Sequence, residues 1–225
     1  MSPERIALIG GTGDLGYGLA VRWAHAGVPI VIGSRDASRA REAAERVKAA
    51  AAANASVEGF ENAEAAAKSS IVVMSVPFPA QPGILKSIKN SLKNALLVDT
   101  TVPLAATVGG KPTRLLGVWE GSAAEQARAL APAEVPVVAA FHNLAAEALQ
   151  DLGHPLDCDV LICGDDAAAK DRLVPLVKLI PGLRPLDAGP LEMARIVESI
   201  TALLISINRR HKVLHAGLRI TGLPP

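Results

Sequence analysis

Aromatic side chains are scarce in this chain: two Trp, one Tyr and three Phe among 225 residues. A core must therefore be built from Ala, Val, Leu and Ile, and half of the residues are hydrophobic, enough for a sizeable one. Net charge is almost absent, at +1, which removes any electrostatic case for nucleic acid or an acidic membrane surface as a partner. No apolar run reaches membrane-spanning length; the longest late one, Ile200 to Ile207, is too short. A strand pattern begins within the first few residues, so no signal peptide fits and a cytoplasmic setting is expected. Only two cysteines occur, Cys158 and Cys163. Five apart in a strand-like stretch, they point to opposite faces and read as buried, reduced thiols rather than a metal pair. His211 and His215 sit four apart on an expected helical turn without a carboxylate or third histidine, so they read as part of a basic segment and no metal is expected. No Ser/His/Asp or Cys/His arrangement has supporting context, and no internal repeat is visible.

What the chain does have is a stretch from Arg5 to Arg39 around which the rest is organised. An apolar strand, Ile6 to Ile9, runs into Gly11-Thr12-Gly13-Asp14-Leu15-Gly16; a helical segment and a second strand, Pro29 to Gly33, follow. This strand–glycine loop–helix–strand order is what a dinucleotide-binding unit requires. Gly11 is expected to turn the chain sharply, Gly13 to let a pyrophosphate approach the backbone, and Gly16 to let helix and strand pack closely. The helix then offers its free N–H groups to the phosphates. At the end of the second strand stand Ser34 and Arg35, with Arg39 a turn later. A hydroxyl and arginine forks suit the 2′-phosphate of NADP, which a carboxylate would repel. Asp36 follows the arginine and is expected to start the next helix.

Strands and helices alternate through the remainder. Helices are expected over 14–26, 36–54, 62–68, 81–92, 122–131 and 144–152, and strands over 57–60, 70–76, 95–99 and 135–141. Val76, Pro77 and Phe78 follow one strand where a cofactor should pass; a stiff connection explains Pro77 equally well. The stretch 105–121 reads as a long excursion. His142 closes the 135–141 strand on the edge where the glycine loop lies, which makes it the one histidine placed for function. A strand over 159–163 precedes a helix capped by Gly164-Asp165-Asp166 that Pro175 should kink. After a short strand over 183–187, a last helix starts at Pro190, with Ile196, Val197, Ile200, Leu203, Leu204 and Ile207 as its expected buried side. The fold class is α/β, a Rossmann-type doubly wound, mainly parallel sheet with a C-terminal helical segment. Residues 1–188 form the expected NADP-binding domain with extension strands, and 189–225 the helix and tail.

Taken together, Ile9 to Gly16, Gly33-Ser34-Arg35, Val76-Pro77, Val102-Pro103, Ala140-Phe141-His142-Asn143, Cys163-Gly164-Asp165-Asp166 and Gly182 to Leu191 resemble the NADPH-dependent reductases of coenzyme F420, a deazaflavin. The resemblance implies reversible hydride transfer between NADPH and F420, with the two rings held face to face and water excluded, without metal or covalent nucleophile. It implies that Thr12 and Leu15 line the pyrophosphate, that Ser34, Arg35 and Arg39 hold the 2′-phosphate, and that Val76 and Pro77 flank the nicotinamide. Ala146 would lie near the nicotinamide. His142 would position the deazaflavin ring from one side, with no certain catalytic residue, and the segment around Ala216 and Gly217 would close the other. Two departures stand out: some relatives have Trp where this chain has Phe78, and some have Leu at the position matching Ala216.

Coenzyme F420 also carries a phosphate and a glutamate tail. Arg209, Arg210, Lys212 and Arg219 form the late basic cluster that could attract it, or they are solvated charges at a helix end. Partners are expected to be small-molecule redox coenzymes, with the apolar last helix as a homodimer or higher-oligomer interface or as simple core. The competing readings are an NADP-dependent reductase of an imine or 2-keto acid on the same fold, and a non-enzymatic NADP sensor.

Overall fold

A computed structural model describes residues 4–51 and 54–223. The eight strands, β1 (Ile6–Ile9), β2 (Ile30–Ser34), β3 (Val57–Glu61), β4 (Ile71–Met74), β5 (Leu96–Asp99), β6 (Val137–Ala139), β7 (Cys158–Gly164) and β8 (Leu183–Gly189), form one sheet in the order β3-β2-β1-β4-β5-β6-β7-β8. All neighbours run parallel except β6 and β7. The chain winds outward from β1 to β3, then returns to β4 on the other side of β1. That reversal opens a crevice at the carboxyl ends of β1 and β4, the place where doubly wound sheets bind ligands. The helices are α1 (Asp14–His25), α2 (Ala37–Ala51), α3 (Asn62–Ala67), α4 (Gln81–Ile88), α5 (Ala123–Leu130), α6 (Ala146–Gln150), α7 (Ala167–Lys178) and α8 (Ala194–His211). Ala52 and Ala53, expected in the second helix, lie outside the described residues.

Alternation along the strands sorts the core into two layers. Ile6, Leu8, Ile30, Ile32, Ile71 and Val73 face α1, α2 and α7, whereas Ala7, Ile9, Val31, Val72 and Met74 face α3, α4, α5 and the start of α8. Cys158 belongs to the first layer and Cys163 to the second, both free and buried, as their spacing requires. Two of the six aromatics meet in the core. Trp23 meets Phe141 edge-on at 5.6 Å and donates its Nε1–H to the Leu176 carbonyl at 2.9 Å. Helix α7 runs on through Pro175 rather than stopping there, since only three residues remain beyond it. The excursion over 105–121 holds one turn of 3-10 helix, Ala105–Val108.

Two outcomes change the sequence reading. Helix α8 does not bury all of its expected stripe: Val197 and Leu204 are buried together with Ala194 and Glu198, whereas Ile196 and Leu203 are 60% and 57% exposed. The helix also ends at His211, with Lys212 in the left-handed region, so His211 and His215 do not share a helical turn.

The sharp turn out of β1 is made by Gly10, not Gly11. Gly10 has φ +84°, and a Cβ there would lie 2.2 Å from the Ser75 carbonyl oxygen. Gly10→Ala therefore forces both a left-handed alanine and a backbone collision, and is expected to cost at least about 2 kcal/mol in urea denaturation. A loss under about 0.5 kcal/mol would mean that the two strand ends separate freely.

Candidate functional site

The crevice holds a cleft of about 320 Å³ lined by Gly10, Thr12, Gly13, Ser34, Arg35, Asp36, Arg39, Asn62, Ser75, Val76, Pro77, Ala80 and Ile84. Its floor is glycine backbone: a Cβ on Gly13 would meet nothing nearer than the Gly10 carbonyl at 3.4 Å. Gly16 is needed elsewhere, since a Cβ there would come within 2.9 Å of Gly11 Cα. Arg35 and Arg39 are exposed at one end of the cleft. The Asp36 carboxylate, also in the lining, accepts the Ser38 N–H at 2.8 Å and hydroxyl at 2.6 Å at the start of its own helix. Those bonds, the hydroxyl's foremost, hold it below the usual carboxylate range. This end of the cleft presents two cations and the Ser34 hydroxyl, donors suited to a phosphate, beside an Asp36 carboxylate engaged by Ser38. Asn62 is buried against the same cleft with its Oδ1 unpartnered among the described residues.

A second cavity of about 310 Å³ begins where the first ends, with Gly13 in the first lining and Asp14 in the second. It is walled by residues 142–147 on one side and by Thr201, Leu204, Ile205 and Asn208 of α8 on the other, with Leu214 and Ala216 closing it. The side chain of His142 is delivered by a constrained bend. Phe141, fully buried, has φ +68°, an uncommon conformation for a bulky residue that turns the chain under α8. Thr201 Oγ1 donates to the His142 carbonyl at 2.8 Å and fixes that bend to the helix. Burial pushes the imidazole down to about 3, so it is neutral near pH 7, and neither ring nitrogen has a partner among the described residues. The segment that continues the 142–147 wall is pinned from behind. Buried Arg22 donates to the carbonyls of Leu149 at 2.8 Å, Ala148 at 2.9 Å, His154 at 3.0 Å, and Asp151.

Three buried carboxyl groups tie together the segments around the two cavities. Glu198 of α8 accepts the free N–H groups of Ala123 and Ala124 at the start of α5, each at 3.0 Å. Asp99, at the end of β5, accepts from Gln81 at 2.7 Å and from the Thr101 N–H at 3.0 Å, and so anchors the connection that carries Val76 and Pro77. Asp159, on β7, receives Arg184 and Arg219 as well as the Ile220 N–H, and thereby fastens the C-terminal tail to the sheet. Its bond to Arg184 holds its carboxyl well below the usual range. Asp165 and Asp187, from the two late sequence segments, are joints of the same kind. Asp165 accepts the Leu191 N–H at 2.9 Å, and Asp187 pairs with Lys170 at 2.7 Å.

Of the residues singled out in the sequence, Thr12, Gly13, Ser34, Arg35, Arg39, Val76 and Pro77 line the first cavity, and Asp14, His142, Ala146 and Ala216 the second. Gly11 and Leu15 line neither: Gly11 sits against Leu8 and Ile32, and Leu15 packs on the core. Gly217 lines an adjoining hollow of about 200 Å³ beside Cys158. Phe78 is in neither lining. Arg219 is not a free cation, being committed to Asp157 and Asp159. Sequence reasoning missed Gly10, Asn62, Ser75, Thr201, Asn208, Arg22 and Glu198. A charged residue inside an apolar helical stripe was the available signal for Glu198; Asn208 gave none.

A doubly wound sheet with a glycine-floored cleft, a cationic rim and an adjoining cavity of mixed aliphatic and polar lining defines a nucleotide-dependent α/β protein with room for a second ligand beside the first. Comparison with known proteins narrows this. Residues 5–103 match the family model described as NADP oxidoreductase, coenzyme F420-dependent. The F420-dependent NADP reductase of Methanothermobacter thermautotrophicus is 46% identical over 222 residues, 98% of this chain and 96% of that protein. A solved chain from Arthrobacter sp. FB24, provisionally assigned as an F420-dependent NADP reductase, superposes with a TM-score of 0.82 at 26% identity, covering 97% and 99% of the two chains. The pyrroline carboxylate reductase of Plasmodium falciparum, at 13% identity and a TM-score of 0.58 over 94% of this chain and 68% of that one, shares the fold alone. The chain belongs to the family of F420-dependent NADP reductases.

Burial pushes Asp99 up to about 7 and Glu198 up to about 8, from ordinary values of 3.8 and 4.5. Both bind a proton more tightly folded than unfolded, so their effect on stability is lost as pH rises through those values. His142 works in the opposite sense only below its ordinary 6.5. Melting temperature is therefore expected to fall between about pH 6.5 and pH 8, and Glu198→Gln to flatten the fall. A wild-type melting temperature that rises over this window would contradict the assignment.

Proposed function

We propose that this chain is an NADPH:F420 oxidoreductase, transferring a hydride reversibly between NADPH and the deazaflavin coenzyme F420. The observation that carries the reading is the pair of adjoining cavities that meet at the start of α1, one with a cationic rim and one with a mixed aliphatic and polar lining. The residues fit both groups. Glycine backbone and exposed Arg35 and Arg39 suit the pyrophosphate and 2′-phosphate, and the unpartnered buried atoms of Asn62, His142 and Asn143 are polar groups with bonding capacity to spare. The two coenzymes supply the hydride donor and acceptor. The chain's own part is to bind, orient and exclude water.

In this reading Gly11 to Gly16 shape the dinucleotide site, with Thr12 at the pyrophosphate. Ser34, Arg35 and Arg39 hold the 2′-phosphate, and Val76 and Pro77 flank the nicotinamide. His142 and Ala146 form one wall of the ring slot, with Ala216 and Gly217 at its closing edge. A buried imidazole that is neutral at pH 7 is a shape and dipole for a ring to rest against rather than a proton donor, which suits hydride transfer. Residues 1–188 act as the nucleotide-binding part and 189–225 as the segment that completes the slot. The buried free thiols suit a cytoplasmic setting, and among the described residues no helix is long and apolar enough to cross a membrane. The relatives' names favour this reading over imine or 2-keto acid reduction and over a sensor.

Mixing the protein with NADPH and oxidised F420 should bleach the deazaflavin absorbance; a folded protein that leaves it unchanged would sink the reading. Arg35→Ala should weaken NADPH binding about 10- to 100-fold and NADH binding little, the loss of charge-assisted bonds to one phosphate. Equal losses for the two nucleotides would contradict the 2′-phosphate role.

The same chain is proposed to form homodimers through the outward face of α8, where Ile196 and Leu203 stand exposed, with Trp119, 99% exposed, in the preceding excursion. Light scattering should give twice the chain mass for the wild type and a lower mass for Leu203→Glu; a monomeric wild type overturns the proposal.

A further inference from the structure

A third hollow, about 370 Å³ and open to solvent, lies at the carboxyl end of α8. It shares Ile205, Asn208 and Leu214 with the ring slot, so a ligand seated in the slot has a continuous path into it. Its remaining lining is Arg209, Lys212 and Val213. The path has a fixed shape. Asn208 donates to the Leu214 carbonyl at 3.2 Å and accepts the Ala216 N–H at 2.9 Å, which holds the reversal after α8 in place between the two cavities. Among the described residues neither Arg209 nor Lys212 takes part in an ion pair, and both are exposed. Arg219, which the sequence grouped with them, is tied down at the tail. Arg210 is exposed and is not part of the lining.

We infer that Arg209 and Lys212 bind the anionic extension of the second coenzyme, the phosphodiester and carboxylates that trail from its ring, as they leave the slot past Asn208. The inference rests on the deazaflavin reading and adds a subsite to it. The competing account is that both cations merely complement the negative end of the α8 dipole. That role is indifferent to what is attached to the ring, and this difference supplies the test.

Two ligands with the same ring separate the accounts: F420 with its phosphate and glutamate tail, and the tail-free deazaflavin alcohol. Equilibrium affinities are read from quenching of deazaflavin fluorescence, without turnover. The variant is Arg209→Gln with Lys212→Gly, since glycine accepts the φ of +55° at position 212 and leaves the helix end intact. The double variant should bind tailed F420 about three- to tenfold more weakly and the tail-free ligand within twofold of wild type. Raising the salt from low to near-physiological ionic strength should weaken the tailed ligand in the wild type and much less in the variant. Equal changes for both ligands, or none for either, overturn the inference and leave the deazaflavin reading standing. Binding of neither ligand by the wild type overturns both.

Discussion

The constraint on which the site depends is the approach of β1 to the connection after β4. At Gly10 a single methyl group would strike the Ser75 carbonyl at 2.2 Å, so the end of β1 can carry no side chain at that point. The crevice produced by the winding of the sheet is therefore floored by backbone. Everything that follows is placed by this bareness. Helix α1 starts close to the strand because Gly16 lets it lie against Gly11, and its free N–H groups then face the same floor. A bulkier turn would move the helix outward and fill the space that phosphates need.

The second cavity is a different problem, because no strand crossing defines it. It exists only if α8 and the tail return to the sheet at a fixed place. Exposed apolar contacts could not specify that register, and two of the six expected stripe residues, Ile196 and Leu203, stand exposed. Buried carboxylates do it. Glu198 binds the two leading N–H groups of α5, and Asp159 gathers two arginines and a backbone N–H from two segments, β8 and the C-terminal tail. Burying carboxylates is costly, and the cost is offset only when every lone pair finds a directed donor. The same requirement makes these contacts specific: few arrangements satisfy a bidentate carboxylate on two adjacent N–H groups. Directionality, rather than apolar area, is what sets α8 against the 142–147 wall.

How far this was legible in the sequence follows the same division. The strand–glycine loop–helix unit, the alternation of elements and the cationic rim of the first cleft were readable because they rest on local chemistry: strand periodicity, glycine spacing, an arginine at a strand end. The orientation of Asp36 was also readable, since an aspartate two residues before a serine caps a helix by local bonds. The walls of the second cavity were legible only as places. His142 was found by its position at a strand end, but its neutrality depends on burial by residues 59 positions away and more. Arg219 was misread because its partners, Asp157 and Asp159, stand about 60 residues upstream and become neighbours only through the tail's return. The α8 stripe was misread because helical periodicity identifies an apolar face without saying what covers it.

These features bear on why such a site can work with so little reactive chemistry. Moving a hydride between two carbon atoms calls for no nucleophile and no metal from the protein, so catalytic power must come from geometry and from the exclusion of water. A cavity serving that end benefits from uncharged walls, since a fixed charge beside either ring would favour one redox state over the other. The proposed slot is lined by aliphatic side chains, amides, a hydroxyl and an imidazole that burial keeps neutral, with the carboxylates of Asp14 and Glu147 as its charged groups. The cations stand outside that lining: Arg35 and Arg39 in one direction, Arg209 and Lys212 at the end of α8 in the other. Separating the reacting centre from cationic handles lets binding energy be drawn from parts of the ligands that do not react.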